Sequence, residues 1–263
     1  MSKLTKAIAK VTGKGAGPKS RLLPMHANSP VWDQVDSRAK EEVAKRRPKP
    51  AEVERANKIA RRLFEEFPKA GCALHYTTPF ELLVATILSA QCTDERVNLT
   101  TPALFKKYPT PQHFADAPPG ELEQDIRSTG FFNAKAKSIR ETARMIVENF
   151  NGEVPVAMED LITLRGAARK TANVVRMHAF NLPGIAVDTH FTRIMGRLKL
   201  TKETDPEKIE FDAAALLPPE HWTHFGDAVI FHGRKTCQAR TPKCELCRIA
   251  DLCPSAFKAK GQK

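Results

Sequence analysis

Among the 263 residues no apolar run is long enough to cross a bilayer. The longest, Leu82 to Ala90, is broken by Thr86 and Ser89, whereas a spanning helix needs about 20 apolar residues. The N-terminus lacks the apolar segment of a secretory signal. Cysteine is scarce, with six in the whole chain, which argues against a disulfide-stapled secreted domain. Aromatics make up 7% and glycine only 13 residues, so neither a fibrous nor a low-complexity chain is indicated. No segment alternates apolar and polar residues with the period of a strand, and no internal repeat is visible. What remains is an all-α globular protein whose 41% hydrophobic residues can fill a core. Its length suits one large domain or two ordinary ones.

Acidic residues are missing from the start of the chain: the first is Asp33. Residues 1–50 hold 12 basic and 4 acidic side chains, a net of +8 out of +12 for the whole. This stretch, ending in Lys45-Arg46-Arg47-Pro48-Lys49-Pro50, reads as a basic flexible N-terminal extension. Such an arm attracts a polyanion, nucleic acid being the usual one, or is a solvated tail. The run Lys45–Lys49 also has the composition of a nuclear signal.

Helical periodicity begins after the arm. Val53, Ala56, Ile59, Ala60, Leu63, Phe64 and Phe67 recur at i, i+3 and i+4, the stripe of an amphipathic helix. Thr77-Thr78-Pro79 offers a cap and a first-turn proline for a buried helix over Phe80–Gln91. Further helices are expected at 94–107, 121–127, Phe132–Phe150 (ended by Gly152), 157–164, 169–180, 188–197, 206–217 and 219–233.

Four of the six cysteines lie close together near the C-terminus. Cys237, Cys244, Cys247 and Cys253 are spaced C-x6-C-x2-C-x5-C, and clustered thiols of this kind hold a metal or a cluster. Zinc ribbons use two close pairs, and only Cys244–Cys247 is one. The spacing by itself leaves zinc and an iron–sulfur cluster open. Cys72 and Cys92 stand apart and read as small buried apolar residues.

Residues 161–175, Leu-Ile-Thr-Leu-Arg-Gly-Ala-Ala-Arg-Lys-Thr-Ala-Asn-Val-Val, form a short helix, a tight turn at Gly166 and a second helix. A helix-hairpin-helix exposes backbone N–H groups at the second helix's N-terminus, where the dipole favours a phosphate. Contacts of that sort position a protein on DNA without reading its sequence. Other short runs accompany it: Gln91-Cys92-Thr93-Asp94, Gly130-Phe131-Phe132-Asn133-Ala134-Lys135-Ala136 and Val187-Asp188-Thr189-His190.

In this order, over roughly residues 51–255, the chain resembles endonuclease III, the iron–sulfur branch of the helix-hairpin-helix DNA glycosylases. The resemblance implies two helical lobes with DNA bound at the cleft between them. One is a six-helix barrel from 72 to 181 carrying the hairpin. The other joins 51–71 to 182–263 around a [4Fe–4S] cluster, with Cys237, Cys244, Cys247 and Cys253 as its ligands. Arg240 and Lys243, in the ligand loop, would face DNA. The partner would be double-stranded DNA with a damaged base or an abasic site, bound by a monomer with no membrane association. The protein would work in the cytoplasm at a bacterial nucleoid, or in the nucleus of a eukaryote.

The reaction implied is a bifunctional one: excision of an oxidised pyrimidine, then strand cleavage by β-elimination. Lys170 would be the nucleophile at the sugar C1′ and Asp188 the group that stabilises positive charge and moves protons. Attack demands a neutral amine, which an unperturbed lysine of pKa ~10.4 supplies in only about one molecule in 2,500 at pH 7. The first turn of a helix and a partly dry pocket both favour the neutral form. Asp188 is also well placed to cap the helix that begins at Thr189. A base inside a duplex must be flipped out to be reached. By resemblance, Gln91 would fill the vacated space and Phe131 would wedge into the stack.

The hairpin departs from the family's usual Leu-Pro-Gly-Val-Gly: here it is Leu164-Arg165-Gly166-Ala167-Ala168. If position 168 needs a positive φ, alanine costs ~1–2 kcal/mol. Arg165 regains an N–H and adds charge, and with Gly166, Ala168 and Arg169 it belongs to the expected DNA contacts. Ile162 stands where relatives commonly carry Glu. These departures keep two other readings in view, an adenine or mismatch glycosylase of the same fold and a catalytically impaired damage-binding protein.

Overall fold

The computed structural model describes residues 22–258, and the most basic part of the arm, residues 1–21, lies outside them. The described residues form thirteen α-helices and no strand. In chain order these are α1 (Pro24–Ala27), α2 (Ser37–Lys45), α3 (Pro50–Glu66), α4 (Pro79–Leu88), α5 (Asp94–Lys107), α6 (Pro111–Ala115) and α7 (Glu121–Asp125). They are followed by α8 (Phe132–Phe150), α9 (Met158–Leu161), α10 (Arg169–Ala179), α11 (Thr189–Arg197), α12 (Pro206–Leu216) and α13 (Trp222–Lys235). The all-α class read from the sequence is the observed one. Among the described residues no helix is long and apolar enough to cross a membrane.

The helices gather into two compact units, one of residues 72–181 and one in which 22–71 joins 182–258. In the first, α4 is buried on nearly every side through Phe80, Leu82, Leu83, Val84, Ala85, Ile87 and Leu88. Helices α5, α8 and α10 pack against it. Thr78 caps α4 by accepting from Glu81 N at 3.1 Å, with Pro79 in the first turn. The helix stops at Leu88, short of the expected Gln91, because Gln91 takes a left-handed φ of 52°. The nineteen-residue α8 ends as the sequence suggested, with Asn151 in the left-handed region, Gly152 at φ 77° and Gly152 N bonded back to Ile146 O at 3.0 Å.

The second unit holds a continuous core from Trp32 and Val35 through Ile59, Leu63, Phe191, Ile194 and Trp222 to Phe225. Here the reading of a flexible extension is corrected for residues 22–50, its remainder lying outside the described residues. Residues 22–50 fold, with Trp32, Val35, Ala39 and Val43 all in the core and α2 packed on α12. Asp36 caps α2 by accepting from Ala39 N at 3.0 Å. His26 directs Nε2 at Ala214 O and Leu217 O, 3.0 and 3.1 Å away, closing the C-terminus of α12. The basic run is partly neutralised from within, since Arg46 bonds Asp212 and Glu42 and Lys45 bonds Glu42. The four apolar residues that anchor this segment are outnumbered by charges, so composition hid them.

Burial lowers the His26 pKa below its ordinary value. Its folded form therefore binds fewer protons than the unfolded chain, so its contribution is complete above about pH 6.5 and fades as pH falls through that value. Trp32→Ala is expected to cost about 3–5 kcal/mol, read from thermal or urea unfolding, whereas a segment that merely trails in solvent would show no change.

Candidate active site

The hairpin occupies α9, the turn Ile162–Ala168 and α10. Gly166 sits at φ 81°, a conformation that suits glycine, and a Cβ there would lie 3.4 Å from Ser138 Cβ and 3.5 Å from Ile87 Cγ1. Ala167 N donates to Leu164 O at 3.0 Å, and Thr142 Oγ1 donates to Arg165 O, tying the turn to α8. Ala168 has φ −59° and ψ 166°. That is ordinary extended backbone, so the strain feared at the missing second glycine does not arise. Ala168 O accepts from Ala172 N at 3.0 Å, but the residue offers no side-chain cap to α10, and no acidic group stands in its first turn. The leading N–H groups of α10 thus face outward with Arg169 and Lys170 beside them, a setting made for an anion.

Lys170 is exposed in that first turn, as are Arg165, Gly166 and Ala168, while Arg169 is half-buried. Arg165 is ion-paired with Glu141 at 2.6 Å, so its charge is not freely offered. Ile162 is exposed on the turn. Asp188 belongs to the other unit. It is half-buried in front of α11, and its Oδ1 accepts from Phe191 N at 2.7 Å. The capping role suggested by sequence is therefore present, and it leaves the second carboxylate oxygen for other work. His190 is half-buried beside Arg193, whose Nη2 is 3.2 Å from His190 Nδ1.

Gln91 and Phe131 are both exposed, and both are non-glycine residues with positive φ, 52° and 49°. Phe131, 64% exposed, stands immediately before α8 behind Gly130. Such conformations are sparsely populated by side-chain-bearing residues and persist only where surrounding structure enforces them.

The four clustered cysteines line one pocket together with Ile194, Leu198, Arg197, His232 and Ile249. Arg197 donates to Cys237 Sγ at 3.1 Å and to the carbonyls of Gln238 and Ala239, both at 2.7 Å. Arg193 donates to Gly233 O and Cys237 O. Burial pushes the Cys247 thiol up to about 11 and raises Cys253 as well. Among the described residues no three His, Cys, Asp or Glu side chains converge closely enough for a single metal ion. Arg240 and Lys243 are exposed on the loop between Cys237 and Cys244.

An all-helical chain with a helix-hairpin-helix, an exposed lysine in the hairpin's second helix and a pocket of four thiols defines a class, the helical base-excision repair proteins. The chain belongs to the HhH-GPD superfamily of base excision DNA repair proteins, whose family model matches residues 84–219. It is similar to endonuclease III of Synechocystis, 55% identical over 204 residues, which cover 77% of this chain and 93% of that protein. Endonuclease III of Bacillus subtilis is 43% identical over 75% of this chain and 88% of its own length. Among solved structures, a non-covalent complex of endonuclease III with DNA superposes with a TM-score of 0.74 at 40% identity, covering 78% of this chain and 96% of that one. A trapped covalent endonuclease III–DNA intermediate gives 0.75 at the same identity. The activity is that of a DNA glycosylase/AP lyase in base excision repair.

Gly166→Ala is expected to cost about 1–2 kcal/mol through its φ and to weaken binding to abasic duplex. Unfolding and fluorescence-anisotropy titrations check both, and unchanged affinity would remove the turn from the DNA contacts.

Proposed function

We propose that the protein excises oxidised pyrimidines from duplex DNA and cuts the strand at the resulting site. Lys170 is the nucleophile and Asp188 the carboxylate that supports it. The observation that carries the reading is the exposed Lys170 in the first turn of an uncapped α10, directly after the Gly166 turn. Phosphates bound by the hairpin amides hold the strand in register, and Arg169 adds charge. The Lys170 amine attacks the sugar C1′, the bond from C1′ to the base breaks, and the base departs with a proton. The C1′–O4′ bond then opens, its electron pair and a proton going to O4′, and the nitrogen, having lost a proton, stays joined to C1′ as a Schiff base. Loss of a proton from C2′ then expels the 3′ phosphate, and water releases the enzyme. The free oxygen of Asp188 stabilises the positive sugar during attack and carries protons afterwards.

Gln91 fills the space left by the flipped nucleotide and Phe131 enters the stack beside the orphan base. Their exposure on constrained backbone suits those tasks. The bound DNA carries a damaged base or an abasic site, and the protein acts as a monomer at the nucleoid of a bacterial cell.

The thiol pocket suits a [4Fe–4S] cluster held by Cys237, Cys244, Cys247 and Cys253. Zinc ribbons use two close cysteine pairs, and only Cys244–Cys247 is one here. The apolar lining and the guanidinium on Cys237 favour a buried anionic cluster with thiolate ligands. When bound it cross-links the loop that presents Arg240 and Lys243 to DNA, and it takes no part in the bond-breaking steps.

On a duplex containing thymine glycol, wild-type protein should release the base and leave a cleaved strand, while Lys170→Ala does neither. Asp188→Asn should slow single-turnover excision by about 10²–10⁴-fold. Full cleavage by Lys170→Ala would reject the nucleophile. Anaerobically purified protein should contain about four iron and four sulfide per chain and show visible charge-transfer absorption, and a single zinc instead would reject the cluster.

A further inference from the structure

The apolar stripe that seats α8 runs through Ile139, Ala143 and Ile146, all fully buried. One turn before Ile139 the same stripe holds a lysine. Lys135 is only 5% exposed, and its ammonium donates to two backbone carbonyls, Leu88 O and Thr129 O, each at 2.7 Å. No carboxylate is bonded to it among the described residues. A buried ammonium bonded only to carbonyls is costly, and desolvation lowers its pKa, partly opposed by the nearby Cys92 thiol. Those partners are not arbitrary, because each ends a helix. Leu88 is the last residue of α4, and Thr129 closes the 3-10 turn Arg127–Thr129. A cation at such ends bonds carbonyls that the helix leaves unpaired and meets the negative pole of the dipole.

Each of the two segments that begin at these carbonyls contains a left-handed side-chain-bearing residue. Gln91 follows Leu88 by three positions and Phe131 follows Thr129 by two. One ammonium therefore fastens the roots of both loops to the first turns of α8. We propose that Lys135 is a positioning residue for base eviction: it clamps the Gln91 and Phe131 loops so that plug and wedge enter the duplex together. This rests on the reading of Gln91 and Phe131 given above.

Lys135→Met keeps the length and apolar stem but removes the donors. Single-turnover excision of thymine glycol from duplex should fall about ten- to hundred-fold, the scale of a small misplacement. Borohydride trapping on an abasic site in single-stranded DNA, where no base or stack has to be displaced, should stay at the wild-type rate. Equal losses on both substrates would mean a general structural role, and no loss on either would mean no role; each overturns the proposal. Lys135→Gln, which keeps a shorter donor, should show the same split in milder form and serves if the methionine variant does not fold. In a Gln91→Ala/Phe131→Ala background, Lys135→Met should add nothing further, and an additional ten-fold loss would contradict a role through those two residues. If the double variant alone excises like wild type, the plug-and-wedge reading itself fails, and the clamp with it.

Discussion

Every helix leaves four N–H and four C=O groups without an internal partner, and a protein assembled from many short helices meets that deficit at each end. Several of the N-termini are closed by side chains. Thr78, Thr93, Thr110, Asp188 and Asp205 each accept from the backbone three residues on. Cationic and imidazole groups from elsewhere in the chain serve the opposite ends. His26 closes α12, Arg55 reaches the carbonyl of Leu198 behind α11, and Lys135 closes α4. These long-range bonds make helix termination a tertiary feature. Arg62, Arg193 and Arg197 likewise donate to backbone carbonyls.

The N-terminus of α10 is among those without a side-chain cap. Ala168 caps nothing, no acid stands in the first turn, and the preceding turn is held by a glycine at φ 81°. A helix end left open on the surface, with Arg169 and Lys170 next to it, is arranged for a ligand that brings its own negative charge. In a DNA glycosylase/AP lyase that ligand is the sugar–phosphate backbone, and the turn proposed to receive it also carries the amine proposed to attack. Recognition and chemistry then share one element, which is economical because the strand contacts fix the position of the reacting sugar.

The sequence disclosed features that depend on local spacing. The stripe of α3, the cap and proline of α4, the length of α8 and the glycine of the hairpin all follow from residues within a few positions of one another. The four-cysteine spacing exposed a candidate ligand set but not its geometry. Features that depend on distant partners were hidden. Residues 22–50 looked like a charged tail, yet Trp32, Val35, Ala39 and Val43 belong to a core completed by residues beyond 185. The short α6 carried too little pattern to be noticed. Lys135 was written in the motif around Gly130, and its one signal was a charge in phase with Ile139 and Ala143. Position 168 shows the reverse error, since a departure that looked strained on paper is relaxed at φ −59°.

The central claim is that the exposed lysine in the open turn of α10 forms the covalent link to DNA. The direct measurement is to reduce the reaction with borohydride on an abasic duplex, digest both components and locate the sugar remnant by tandem mass spectrometry. The remnant should sit on the Lys170 side chain alone. A remnant on any other amine, or a reaction that cuts the strand without leaving one, would contradict the account.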